Sequence, residues 1–115
     1  KNNIGDYKMA TRCTIKLEGF KTAKVYKHYD GYPEATLAWL EDFNSDFTSK
    51  RGDDNQYKFA QLLRSSAFDS ETYNLDASRH TGWGVIGYKE TCGEEYVYTL
   101  KLDGTVKVKY LYADK

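Results

Sequence analysis

Two ionisable side chains near the end of a predicted strand are spaced so that they could act together. His28 and Asp30 lie two positions apart within residues 26–34, the segment YKHYDGYPE. On a strand that continued through this segment, they would point to the same face. A carboxylate beside an imidazole favours the charged form of the ring and orients it. The pair could therefore supply acid–base chemistry or half of a metal site.

His80 is the only other histidine in the chain, and it precedes a predicted strand. If that strand lies beside the end of the strand before His28, then His28, Asp30 and His80 would meet at one edge of the sheet. Together they could bind a metal ion, or the two histidines could act as acid and base. The residues favour a structural interpretation, in which Asp30 bonds turn amides, His28 bonds a backbone carbonyl and His80 caps a strand.

Motifs of known catalytic families are absent from the sequence, including GxSxG, HExxH, a phosphate-binding P-loop and GxGxxG. The two cysteines lack CxxC spacing. Cys13 falls in a predicted strand, where packing is its expected role, and Cys92 falls in a turn with only Lys89 nearby to favour the thiolate. We therefore predict two reduced thiols, no metal ion and no cofactor, and we favour a function without catalysis over an enzymatic one.

Alternation of apolar and polar residues predicts four of the strands that would position these groups, and a short apolar run interrupted by glycines predicts the strand over residues 83–89. A short turn joins the first two strands, and Asp103–Gly104 is a typical hairpin sequence between the last two. The predicted strands cover residues 11–18, 22–28, 83–89, 95–102 and 105–112.

Two helices are predicted between the second and third strands. Pro33 suits the first turn of a helix, and apolar residues at steps of three and four predict that it extends over residues 34–48. Lys50, Arg51 and Gly52 then supply a typical C-terminal end. A second helix follows with Asp53 or Asp54 as its cap, and a short helical turn is predicted over residues 69–75.

The predicted order of elements is β-β-α-α-β-β-β. Because tight hairpins join antiparallel neighbours, we predict an α+β domain with a single antiparallel sheet of about five strands and helices on one face. Residues 9–115 form this domain, and residues 1–8 are expected to be a disordered leader. The sequence does not determine the strand order, because the chain could return from the helices to either edge of the sheet.

The face of the sheet opposite the helices is predicted to carry tyrosines and lysines in alternation. Open sheets hold single-stranded nucleic acid with such aromatic rings and cations. However, the strand order departs from the RRM pattern, and tyrosine is also enriched in protein interfaces. We therefore favour a protein partner over nucleic acid. The predicted binding residues are Tyr26, His28, Tyr29, Asp30, Tyr32, Tyr96, Tyr98, Lys107, Lys109 and Tyr110.

Composition narrows the classes of function further. The 115 residues carry 17 Lys and Arg against 17 Asp and Glu, and this balance disfavours both a general nucleic-acid binder and an acidic DNA mimic. Hydrophobic residues make up 40% of the chain, which is enough to build a core. No apolar run approaches the roughly 18 residues that span a membrane. Residues 1–8 lack the apolar core of an export signal, so a cytoplasmic location is expected.

Residues 26–34 also resemble the motif Y-[RK]-H-x-D-G-Y-P-E of a family of small uncharacterised proteins from phages, prophages and prokaryotic genomes. In that family the motif likewise follows a strand and precedes a helix. Residues 12–17, 82–86 and 94–98 resemble later blocks of the same family, so the resemblance extends over most of the chain. It implies a phage or mobile-element context, a cytosolic setting and a shared fold, and it implies no catalytic residues.

The resulting hypothesis is a small cytosolic accessory protein of phage type that binds a protein partner and modulates a host or defence system. Two alternatives stay open. One is a metal-dependent or acid–base hydrolase that uses His28, Asp30 and His80, and the other is single-stranded nucleic-acid binding on the tyrosine and lysine face. Pairing of two exposed sheet edges would produce a homodimer, and the sequence leaves the oligomeric state open.

Overall fold

A computed structural model describes residues 11–66 and 82–112 of the chain. Within them, two helices and one five-stranded sheet form an α+β fold in the predicted order, which confirms the predicted fold class. The predicted leader, the helical turn over residues 69–75 and His80 lie outside the described residues. The elements are β1 (Cys13–Leu17), β2 (Ala23–Lys27), α1 (Pro33–Arg51), α2 (Asn55–Arg64), β3 (Trp83–Gly87), β4 (Tyr96–Leu100) and β5 (Val106–Tyr110).

The strands lie in the order β3-β2-β1-β4-β5, and one neighbouring pair is parallel. β1 and β4 run in the same direction over all five residues, from Cys13 opposite Tyr96 to Leu17 opposite Leu100. The other three pairs are antiparallel, so the prediction of a wholly antiparallel sheet is wrong at this pair. The reason is the connection over residues 88–95, which carries the chain from one end of β3 back to the end of the sheet where β1 begins.

The core lies between the sheet and the helices. Its fully buried side chains contribute roughly 1.5–3 kcal/mol each when they leave water. Partly buried aromatic residues from both helices and from β3 pack around them. The buried core residues are Cys13, Ile15, Leu17, Val25, Leu40, Leu62, Tyr98 and Leu100.

Both helices begin and end near the predicted positions. Pro33 occupies the first turn of α1, and Gly52 ends the helix with a φ of 63°, its amide donating to the carbonyl of Thr48 at 2.9 Å. A positive φ of this kind is readily adopted by glycine. α2 follows Asp54. Neither helix of the described chain is long and apolar enough to cross a bilayer.

A buried polar network fastens the helices to the last hairpin. Asn44 of α1 donates to the carbonyls of Lys101 and Thr105 at 2.9 and 2.8 Å. The ammonium group of Lys58 in α2 donates to the side-chain oxygen of Asn44 at 2.7 Å. Desolvation lowers the pKa of Lys58, although the charge of Glu18 opposes this effect. The network fixes the hairpin that carries β5 against both helices.

Candidate functional site

The predicted strand-to-helix junction is a tightly folded connection, residues 28–32, which we call the corner. β2 ends at Lys27 and α1 begins at Pro33. Asp30 adopts the left-handed conformation, with a φ of 57°. The next residue must be glycine because a Cβ atom at Gly31 would lie 2.8 Å from the backbone nitrogen of Cys13. The corner therefore presses directly against β1.

Internal donors bind the carbonyl oxygens of the corner. The Thr36 hydroxyl donates to the carbonyl of Asp30 at 2.6 Å, and the Tyr98 hydroxyl donates to that of Gly31 at 2.7 Å. The Lys27 ammonium group donates to the carbonyl of Tyr29 at 2.6 Å. These bonds join β2, β4 and α1 at one point. The structural interpretation of the segment is supported, although it is the backbone of Asp30, and not its carboxylate, that the described bonds engage.

His28 faces a different set of residues from the predicted one. The Arg12 guanidinium donates to Nδ1 of His28 at 3.2 Å, and the Tyr26 hydroxyl lies 2.5 Å from the same nitrogen. Because β2 ends at Lys27, the alternation that would place His28 and Asp30 on one face of a strand does not apply to them. Among the described residues, no group of three metal-binding side chains is found. His80, the third predicted member, lies outside that range.

The predicted face of tyrosines and lysines is divided between the two sides of the sheet. Tyr98 of β4 lies opposite Val108, whereas its neighbour Thr99 lies opposite Lys107. Side chains alternate between faces along a strand, so the tyrosines at 96, 98 and 110 point to the helix side and the lysines at 107 and 109 to the other. Tyr98 has no exposed surface, and burial raises its pKa. Its prediction as a surface binding residue is therefore wrong.

The face opposite the helices is partly covered by residues 88–95, which we call the crossover loop. Thr14 has no exposed surface although it points away from the helices, and Glu94 of the loop is only 4% exposed. The Glu94 carboxylate accepts from the amide of Cys92 at 2.9 Å and from the Thr14 hydroxyl at 3.4 Å. The loop thus covers part of the sheet face that the sequence predicts to be open.

The ionisation of Glu94 and Cys92 reflects this enclosure. Burial by itself raises the pKa of Glu94, but hydrogen bonds from the amides of Cys92 and Glu94, with the charge of Lys24, outweigh it and lower the pKa. Burial, together with the Glu94 carboxylate, raises the pKa of the Cys92 thiol to about 11. Cys13 and Cys92 form no disulfide bond in this structure. Cys92 is therefore protonated at neutral pH and a poor nucleophile.

Four of the eight exposed large apolar side chains of the described residues gather on β5 and the turn after it, residues 106–112, which we call the β5 edge, although the single most exposed one is Val85 of β3, at 50%. Val108 is 37% exposed, and Tyr110, Leu111 and Tyr112 are between 41% and 45% exposed. The ring of Tyr110 stacks on that of Tyr96 with centroids 4.8 Å apart. The other predicted binding residues of the last strands, Lys107 and Lys109, are also exposed here.

A shallow groove of about 570 Å³ lies between α1 and α2. Trp39, Phe43, Phe47 and Tyr57 supply its aromatic lining, and charged side chains of both helices form its rim. None of these aromatic residues is among the predicted binding residues. Trp39, Phe43 and Phe47 recur every four residues, and this spacing could have indicated the groove because it aligns them along one side of a helix.

Comparisons of the chain with protein-family models, with curated proteins and with solved structures find no match. The resemblance to the phage-type family therefore stays an expectation.

Proposed function

We propose that this protein acts by binding a protein partner and that the β5 edge is its binding surface. The observation that carries the proposal is the clustering of four exposed apolar side chains at one edge of the described sheet, with Val108 and Tyr110 on β5 and Leu111 and Tyr112 in the turn after it. Exposed tyrosine is typical of protein interfaces, where its large ring adds contact area and its hydroxyl adds a hydrogen bond.

The corner is a weaker candidate for the binding surface, because three of its carbonyl groups are bound by internal donors. The enzymatic alternative is also weaker. The His28 ring contacts Arg12, Tyr26 and Tyr29, and its supposed partnership with Asp30 has lost the shared strand that motivated it.

Nucleic-acid binding also loses its main support. That interpretation requires stacking rings and cations on one face of the sheet. Here Tyr96 and Tyr110 lie on the helix side, while Lys107 and Lys109 lie on the opposite side. A single-stranded nucleic acid that lay on one face of the sheet could not contact both the tyrosines and the lysines.

The resemblance to phage proteins supplies the context of the proposal. In that context, the protein is an accessory factor in the cytoplasm of a prokaryotic host. Its partner is a host protein, and the components of host defence systems are among the candidates. The proposed location and context rest on the resemblance, whereas the proposed surface rests on the β5 edge.

Partner capture from a prokaryotic lysate tests the proposal when wild type is compared with two matched variants. Tyr110→Ser alters the β5 edge, and Tyr57→Ser alters a tyrosine of similar exposure, 42% against 45%, in the helix groove. We expect a specific partner to be captured by wild type and Tyr57→Ser and to be lost with Tyr110→Ser. Loss with Tyr57→Ser alone would contradict the proposal and place the surface in the groove.

A further inference from the structure

The backbone of β5 has an open side. The amide of Leu111 donates to the carbonyl of Glu95, and the amide of Lys101 donates to that of Thr105, each at 2.8 Å. In an antiparallel pair, only every second residue of a strand bonds to its neighbour. Thr105 and Leu111 belong to the alternating set of residues that bonds to β4. Val106, Val108 and Tyr110 belong to the other set and therefore direct their N–H and C=O groups away from β4. Since β5 is the last strand of the described sheet, these groups form an unpaired edge.

The side chains of the β5 edge form two chemically distinct rows. Lys107 and Lys109 point to the face opposite the helices, and their cross-strand neighbours on β4 are the uncharged Thr99 and Val97. Both lysines are exposed, and neither forms an ion pair with a described residue. Val108 and Tyr110 form the apolar row on the other face. The edge thus combines a row of two cations with a row of apolar groups.

A second copy of β5 is a poor match for this edge. Antiparallel pairing of two copies centred on Val108 would place Lys107 opposite Lys109 of the other copy. Like charges directly opposite each other destabilise a pair of strands, and lysine on an edge strand is a common guard against self-pairing. Both lysines would instead be matched by carboxylates at the corresponding positions of a partner strand.

We propose that the β5 edge adds one strand from a partner, an extended peptide segment in which acidic residues alternate with apolar residues. The backbone of the segment pairs with Val106, Val108 and Tyr110, as in other cases of strand addition. Its acidic side chains lie beside Lys107 and Lys109, and its apolar side chains extend the row of Val108 and Tyr110. This inference rests on the proposed function and specifies the chemistry of the partner.

The first test measures, by fluorescence anisotropy, the binding of synthetic peptides of alternating Glu and Val whose termini are acetylated and amidated. The control peptide has the same composition with its glutamates in one block. The double variant K107E/K109E should bind the Glu/Val peptide about tenfold or more weakly, because each cross-strand pair contributes up to about 1 kcal/mol. The same variant should gain affinity for a peptide of alternating Lys and Val. Equal binding of the alternating and block peptides would overturn the inference, since charge alone would then explain the affinity.

The second test removes one outward amide and leaves the β4–β5 ladder in place. Val108→Pro deletes the N–H that would bond to the added strand, and proline is tolerated on edge strands when its N position faces outward. Val108→Thr is the control because it keeps the amide and a β-branched side chain. We expect loss of peptide binding with Val108→Pro and retention with Val108→Thr, with amide exchange at Lys107 and Lys109 unchanged in both.

The two proposals can fail separately. A captured partner that needs Tyr110 but is insensitive both to K107E/K109E and to Val108→Pro would overturn the strand-addition inference and leave the proposed function standing. A Glu/Val peptide that binds wild type and fails to bind Val108→Pro would support strand addition. Peptide binding that is lost with Tyr57→Ser and retained with Val108→Pro would contradict both proposals, because the groove would then be the binding surface.

Discussion

The corner and the β5 edge use their polar groups in opposite ways. The corner directs its carbonyls to internal donors, among them the hydroxyls of Thr36 and Tyr98. The β5 edge directs the backbone of alternate residues to the outside and keeps two lysines without ion pairs to the described residues. A dense polar segment in a sequence can therefore be a structural joint, and a plain alternating strand can carry the surface that is open to a partner.

The comparison predicts that substitutions in the corner affect stability most. Gly31→Ala should lower the free energy of unfolding by about 3 kcal/mol, because the new Cβ would meet backbone atoms that cannot move cheaply. Gly52→Ala is the control. Gly52, unlike Gly31, lies at a positive φ, but no atom lies within 4 Å of its added Cβ, so only the backbone strain of about 1 kcal/mol is expected. Urea unfolding measures both, and equal losses would show that the corner is not closely packed.

Reactivity of Cys92 gives a second large effect. A thiol with a pKa of about 11 holds about 100-fold less thiolate at neutral pH than one at the usual 9.0, and alkylation should slow accordingly. The rate of Cys92 alkylation is measured by treating the folded protein with iodoacetamide, quenching the reaction at successive times and analysing the samples by mass spectrometry. Glu94→Gln should increase this rate because it removes the carboxylate that opposes ionisation. A Cys92 rate like that of a small-molecule thiol would contradict the enclosure by the crossover loop.

Tyr98→Phe should cost about 1–2 kcal/mol, because it leaves the buried carbonyl of Gly31 without its donor. The ring itself is kept, so the loss isolates the hydroxyl. Thermal or urea unfolding measures the change. A variant as stable as wild type would show that the hydroxyl does not hold the corner against β4.

Glu94 gives a smaller effect that depends on pH. Its folded pKa lies below the usual 4.5, so the unfolded chain binds the proton more readily. The stabilisation is present in full above the unfolded pKa and is lost as the pH falls through the lowered folded value. Urea unfolding between pH 7 and pH 3 should show a decline that is shallower in Glu94→Gln. Identical slopes in the two proteins would contradict the internal role of this carboxylate.

The smallest expected effect lies on the β5 edge. Lys109→Ala should change the free energy of unfolding by less than about 0.5 kcal/mol, because an exposed lysine that forms no ion pair with a described residue contributes little to the fold. The same substitution should weaken binding of the Glu/Val peptide. A large loss of stability in urea unfolding would mean that Lys109 is structural, and the contrast with the corner would disappear.

Local patterns were sufficient to predict the elements and the fold class. Pro33 and Gly52 mark both ends of α1, alternation marks four of the five strands, and a short apolar run marks β3, because these signals act within a few residues. The parallel pairing of β1 with β4 was not predictable, since it depends on the path of the crossover loop over the sheet. Nothing near Thr14 in the sequence indicates that Glu94, eighty positions later, covers it.

The site was predicted in part, and the errors have one physical origin. Tyr98, Tyr110, Lys107 and Lys109 were correctly placed on strands, but their faces depend on the register between β4 and β5. Because side chains alternate, that register sends the tyrosines to one side and the lysines to the other. The density of polar residues at His28 and Asp30 indicated a special local structure, but it did not distinguish a binding site from a joint.

The most direct test of the β5 edge as the binding surface is a map of backbone amide shifts in ¹⁵N-labelled protein during titration with the Glu/Val peptide. We predict the largest shifts and new exchange protection at Val106, Val108 and Tyr110, whose amides point outward. Amides of the corner should stay unchanged. Shifts that centre on residues 28–32, with the β5 edge unaffected, would contradict the account.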